Sequence, residues 1–371
     1  MNTLSHSLDQ AVTANYSGPT LTIDTQKITE QVALFKYALP NVTPHYAVKA
    51  NPLPEVLRHL HSLGVGFEIA SQGELSLLQS LGIPAHKIIF SNPIKTPASI
   101  IAAVDYGVKY FAFDNPEELI KLHQLAPDAQ YELRISTNGK GSVWPLTKKF
   151  GVDVKQAIKL IGVAHHHQIN ISALTFHVGS QCTQSQAWLT ALKDCEKIIQ
   201  YMNKQSMQLN MLNIGGGFPC ALHSHGQSFK ELMNPVRSAL KLFKQKTNVE
   251  VCAEPGRFLV ASSGTLACQI ISTTQKNHQP WAFLDCGYYN GLMELTEDFG
   301  YQLRSKRTGE NIPWTIAGPT CDSVDCFTPK YHLPKNSQAG DVITIDNMGA
   351  YAHTCVSNFN GFDGPSILIK H

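Results

Sequence analysis

A chain of 371 residues that is 43% hydrophobic and 16% charged can bury a large core, and its length suits two domains better than one. A formal net charge of +2, with no run of Lys and Arg, argues against nucleic acid or an anionic membrane as the main partner and leaves a small molecule as the expected one. The opening MNTLSHSLDQAVTANYSG lacks the basic start and apolar core of a signal peptide, and no later stretch is apolar enough to span a bilayer, so the cytoplasm is the expected compartment. Nine cysteines without C-x-x-C pairs or His/Cys zinc spacing fit reduced thiols and no metal site.

In chain order, Thr20–Ile23 reads as a short strand and Lys27–Tyr37 as a helix. A regular beat follows. Strands are expected at 45–50, 67–70, 87–91, 110–114, 131–136, 171–179, 209–214 and 249–253. Between them lie amphipathic helix patterns with start and stop signals: Pro54 opens one carrying Val56, Leu57, Leu60 and Leu63, and Gly64 closes it. Leu75, Leu78 and Leu81 before Gly82, and Pro97 to Val104 before Gly107, repeat the scheme. Eight strand-helix units predict an α/β fold, a closed (β/α)8 barrel over residues 27–262. From about residue 263 the pattern changes to strands at 265–272, 281–284, 314–317, 341–345 and 366–369 separated by turn-rich loops. An all-β domain is therefore expected over 263–371 together with residues 1–26, the early strand included.

Barrel enzymes place their chemistry at the carboxyl ends of the strands. Those ends carry Lys49, Glu68, Asp114, Arg134, His177, Gly215–Gly217, and Glu254 with Arg257. A lysine on an apolar strand needs either a partner or a chemical task. Three consecutive glycines allow close approach of the backbone and turn N–H groups toward a phosphate, with Ser180 and Arg257 at hand. Glu254 suits a pyridine nitrogen, which a carboxylate keeps protonated. His177 at the rim can lie flat on a ring, although a packed histidine is the plainer alternative; Arg134 has a buried ion pair with Glu68 or Asp114 as its plain alternative. The segment 137–150 has no periodicity and reads as a flap over the site. In the β domain, Gly318-Pro-Thr-Cys-Asp-Ser-Val-Asp325 sets a thiol and two carboxylates in a turn.

The stretches His45-Tyr-Ala-Val-Lys-Ala-Asn51, Phe67-Glu-Ile-Ala-Ser71, Phe176-His-Val-Gly-Ser180, Gly215-Gly-Gly-Phe-Pro219, Glu254-Pro-Gly256-Arg257, Gly318-Pro-Thr-Cys-Asp322 and Gly349-Ala-Tyr351 occur in one order along the chain. Together they resemble the fold-type III pyridoxal-phosphate decarboxylases, whose two-domain architecture is also that of alanine racemases, and most of all the branch acting on ornithine. The resemblance implies pyridoxal 5'-phosphate joined covalently to Lys49, with His177 on its ring and Glu254 on its ring nitrogen. It implies phosphate contacts from Ser180, Gly215, Gly216, Gly217, Gly256, Arg257 and Tyr351, with Glu68 and Arg134 nearby. It further implies a head-to-tail homodimer in which Cys321 and Asp322 reach the neighbouring barrel, Cys321 as proton donor and Asp322 as ligand of a distal ammonium. The expected reaction is decarboxylation of a basic L-amino acid, ornithine to putrescine first, with lysine, diaminobutyrate or a diamino-acid conjugate as alternatives and a non-catalytic regulatory homologue behind them. One departure stands out: the second acidic residue for the distal amine falls on Glu297, where the family's ornithine enzymes carry aspartate.

Overall fold

The computed structural model describes residues 16–220, 227–296, 299 and 301–371. The chain forms two compact units, one over Thr29–Leu259 and one over Val260–His371 joined by the N-terminal residues through Ile28.

The first unit is a closed barrel. Strands Thr43–Ala47, Gly66–Ile69, Ile88–Phe90, Tyr110–Phe113, Gln130–Ile135, Ile171–Phe176, Met211–Asn213 and Glu250–Ala253 pair in parallel, and the last closes on the first through Cys252 with Thr43 and Ala253 with Pro44. Burial on both faces explains why these strands read as continuous apolar runs: Phe67, Ile69, Phe111, Phe113, Leu133 and Leu174 are all buried. The intervening helices use the punctuation visible in the sequence. Helix Pro54–Ser62 has proline in its first turn and buries Val56, Leu57 and Leu60. Helix Pro97–Tyr106 is capped by Thr96, whose side chain accepts from Ser99 N–H, and ends at Gly107 with φ 101°.

Two differences from the sequence reading matter for the site. The first barrel strand does not run to residue 50; it ends at Ala47, and Val48–Ala50 form a 3-10 turn. Val48 and Ala50 stay buried, so the apolar run continues after the strand has stopped, and Lys49 between them faces outward. The segment 137–150 is not without structure either: Ser142–Trp144 pairs antiparallel with Ser180–Cys182, matching Ser142 with Cys182 and Trp144 with Ser180.

The second unit is a sheet of eight strands. Strand Thr20–Asp24 lies antiparallel to Gly264–Lys276 and parallel to Ser366–Lys370, which places the early strand in the β unit as expected. Gly264–Lys276 also pairs with Val342–Asp346 and Gln279–Leu284, the latter followed by Asn311–Ala317 and Cys326–Pro334. Leu303–Ser305 and Cys326–Pro334 are strands that the sequence reading left as loops.

Candidate active site

At the carboxyl end of the barrel, the Lys49 ammonium donates to Glu68 Oε2 at 3.2 Å. The lysine side chain is 49% exposed and the Glu68 side chain 3%, so an exposed amine is anchored on a buried carboxylate. This is unlike Lys95, the other lysine near a barrel strand end. Lys95 is buried, lies 3.0 Å from Glu118, and donates to the carbonyls of Asn92 and Ala112. Burial pushes the Lys95 amine down to about 8, yet its hydrogens are all engaged in holding loops together.

Three consecutive glycines follow strand Met211–Asn213. Gly215 and Gly217 have φ of 63° and 92°. A Cβ on Gly215 would overlap the Phe176 carbonyl, and one on Gly217 would overlap the Gly179 carbonyl; at Gly216 it would come within 2.9 Å of His177 Nε2 and 2.8 Å of the Glu254 carbonyl. The loop is thus wedged between two neighbouring strand ends, tied by Glu254 N–H to the Gly215 carbonyl and by Cys182 N–H to the Gly217 carbonyl. Gly256 is crowded in the same way by Ala47 and Ala50, and Arg257 starts a short buried helix beside it.

His177 lies one residue beyond its strand, partly exposed, with Nδ1 accepting from Gly179 N–H at 3.0 Å. That bond places the ring proton on Nε2. Burial, Arg134 and Lys49 together push the imidazole down to about 3, so it is neutral. Arg134 does not pair with Asp114, which accepts from Gly151 N–H instead; its guanidinium lies over the Phe150 ring at 5.4 Å.

Glu254 receives two hydrogen bonds on the same oxygen. The Ser91 hydroxyl and the Asn213 amide, the latter at 2.6 Å, both donate to Oε1. Burial and the charge of Glu68 raise its pKa, Lys49 opposing. Ser91 and Asn213 escaped the sequence reading because a serine and an asparagine at strand ends carry no signal of their own. Glu132 escaped it for a different reason: it sits inside strand Gln130–Ile135, where alternation hides one carboxylate among apolar neighbours.

In the β unit, the turn Gly318–Asp325 separates its two carboxylates. Asp325 is buried and accepts from Tyr288 N–H, Thr320 N–H and the Thr320 hydroxyl. Asp322 is nearer the surface, accepting from the Tyr289 hydroxyl at 2.6 Å and from Val324 N–H, which together hold it below the usual carboxylate range. Cys321 is exposed. Tyr351 has φ 64°, a left-handed conformation in the turn after Gly349. Glu297 lies outside the described residues; its neighbour Glu294 is buried and accepts from the Tyr301 hydroxyl, which gives it a structural part.

A barrel end that joins an amine, a neutral imidazole, a glycine cradle and a paired carboxylate is the kind of site held by an aromatic, phosphorylated aldehyde. A family model described as "Pyridoxal-dependent decarboxylase, pyridoxal binding domain" matches residues 25–261. The chain belongs to the pyridoxal-dependent decarboxylases. It is 35% identical to an ornithine decarboxylase of Caenorhabditis elegans, over 92% of this chain and 85% of that one. It is 32% identical to a lysine/ornithine decarboxylase of Selenomonas ruminantium, over 95% of this chain and 90% of that one. Among solved structures, the lysine/ornithine decarboxylase of Vibrio vulnificus complexed with cadaverine superimposes with a TM-score of 0.89 at 34% identity, covering 100% of this chain and 99% of that one.

This decarboxylase uses pyridoxal phosphate and acts on a basic amino acid. Its residues fit that cofactor on their own terms. The cradle at Gly215–Gly217 has no room for side chains, Arg257 supplies a guanidinium beside it, and Glu254 is a carboxylate whose raised pKa a nearby cationic ring would relieve. No helix among the described residues is long and apolar enough to cross a membrane.

Proposed function

We propose that this enzyme converts L-ornithine to putrescine and carbon dioxide. The observation that carries the reading is the identity of 35% with an ornithine decarboxylase across 92% of the chain, laid over a barrel end with Lys49, Glu68 and Glu254 in place. The cofactor, when bound, supplies an aldehyde for an amine to engage and a protonated ring that accepts the electron pair left by carbon dioxide. Lys49 would hold it covalently until a substrate amine takes its place, with Glu68 positioning Nζ. His177 would lie against the ring as a neutral plane, kept uncharged by burial and by Arg134. Glu254 would pair with the ring nitrogen through Oε2, because both of its own donors occupy Oε1. Ser180, the Gly215–Gly217 backbone, Arg257 and Tyr351 would take the phosphate, with Gly256 giving the loop its close approach. Cys321 Sγ returns the proton to the substrate carbon, and Asp322 with Glu297 receives the distal ammonium. Cys321 and Asp322 act on a neighbouring subunit in a homodimer, a reading supported by the family resemblance and by the exposure of Cys321.

Lysine is the second reading, since two of the similar proteins are named for both substrates. Carbon dioxide release from ornithine, lysine, diaminobutyrate and arginine by the purified, cofactor-loaded protein separates them. One methylene in a fitted pocket is worth roughly 10- to 200-fold in kcat/KM, so ornithine should exceed lysine by about tenfold or more. Equal or better turnover of lysine would overturn the ornithine assignment and leave the decarboxylase chemistry intact.

A further inference from the structure

Directly behind Glu254, the barrel interior holds a second carboxyl that the reaction above does not use. Glu132 is fully buried on strand Gln130–Ile135. Its Oε1 accepts from Asn213 Nδ2 at 3.0 Å, and its Oε2 has no hydrogen-bond partner. The same Asn213 nitrogen donates to Glu254 Oε1, while Asn213 Oδ1 accepts from Gly215 N–H at 2.9 Å. Every polar atom of the Asn213 side chain is therefore committed: two hydrogens to two carboxyls, and one oxygen to the glycine cradle. An amide in that arrangement cannot flip, because its oxygen would then face carboxylate oxygens and its nitrogen would face the Gly215 N–H.

We infer that Glu132 is a positioning residue for the decarboxylation: joined to Glu254 through Asn213, it keeps the one proton that the two buried carboxyls share and so leaves Glu254 as the charged member facing the cofactor. This rests on the reading of Glu254 as the partner of the ring nitrogen. Two carboxylates an amide apart in a dry interior do not both ionise cheaply, so the pair retains a proton. Hydrogen bonds decide which member has it. Glu254 receives two donors, from Ser91 and Asn213, and is partly exposed; Glu132 receives one and is fully buried. Donors and water favour the charged form, which places charge on Glu254 and the proton on Glu132.

The other groups that face Glu132 do not reverse this. Glu68 across the barrel adds negative charge and favours the protonated form, whereas Arg134, two residues along the strand, opposes it. Tyr110 and Cys252 also adjoin it, and both are raised by burial first and by nearby acids second, so both stay neutral. The consequence for function is a fixed charge at the ring nitrogen that does not depend on solvent, because the proton balancing it is stored out of reach of the cleft.

Infrared difference titration of the cofactor-free protein tests this without reference to turnover. In a Glu74→Gln background, which silences the other carboxyl pushed up to about 7, a C=O stretch of a protonated carboxylic acid should be present at pH 7, and the component assigned by difference spectra to Glu132 should vanish in Glu132→Gln. In Glu254→Gln, which removes the competing charge, the same band should persist with its midpoint lower by about one on the pH scale. A band that survives in Glu132→Gln, or a midpoint that Glu254→Gln leaves unmoved, overturns the inference. The underlying reading fails separately: if the loaded Glu254→Gln enzyme keeps wild-type turnover, Glu254 does not serve the ring nitrogen, whatever the infrared band does.

Discussion

Residues of one type divide by what they touch. Asp322 and Asp325 stand three apart in one turn and are equal as letters. In the fold, Asp325 ties together Tyr288, Thr320 and the close approach of Gly287 and Gly318, at each of which a Cβ would collide with its carboxylate. Removing it leaves three half-buried donors without their acceptor, so Asp325→Ala should cost about 2–4 kcal/mol in urea unfolding. Asp322→Ala should cost less than about 1 kcal/mol by the same measurement, because its partners reach water, while impairing turnover. The sequence exposed Lys49, Glu68, Arg134, His177, Glu254 and Arg257 because a titratable group at the end of an apolar strand breaks the pattern. It concealed Asn213 and Ser91, whose importance lies in which oxygen of Glu254 they occupy, a matter of three-dimensional placement alone.

Elements followed the same logic. All eight barrel strands were legible because burial on both faces makes them continuous apolar runs bounded by turn signals. What failed was the end of the first: Val48 and Ala50 remain buried in a 3-10 turn, so hydrophobicity extended the strand past its true limit at Ala47. Strand Ser142–Trp144 was invisible because three residues cannot show a period, and its partner Ser180–Cys182 is distant in sequence. Strand Cys326–Pro334 contains two prolines, which demote a run to a loop in any local reading. The glycine run was visible as a turn, but its wedging against Phe176 and Gly179 was not. That wedging makes a definite prediction. Gly215→Ala must take a Cβ into the Phe176 carbonyl at positive φ, costing about 1–3 kcal/mol of stability and weakening cofactor retention on dialysis. Gly162→Ala, where nothing lies within 4 Å, should do neither.

At the scale of the molecule, the site is a store of buried acid. Glu74 accepts from Ala70 N–H at 2.6 Å and is pushed up from 4.5 to about 7 by burial and by Glu68. A carboxyl raised in the fold binds its proton more tightly there than in the unfolded chain. Its contribution to stability is complete below pH 4.5 and is lost as pH rises through about 7. Glu74→Gln should therefore match the wild type below about pH 4.5, gain on it as pH rises from 4.5 to about 7, and keep a constant advantage above that in thermal melts of the cofactor-free protein. A gap that stays constant between those two pH values would refute the assigned burial. His177 has the opposite sign: its stability is present above pH 6.5 and is lost as pH falls toward 3.

The Lys49 amine is exposed, while Lys95 is buried with each hydrogen engaged. Reduction of the pyridoxal-phosphate-loaded protein with borohydride, followed by peptide mass spectrometry, locates the covalent attachment. The account predicts a phosphopyridoxyl group on the peptide containing Lys49 and none in Lys49→Ala. A modified peptide containing Lys95, or no modified lysine at all, would contradict it.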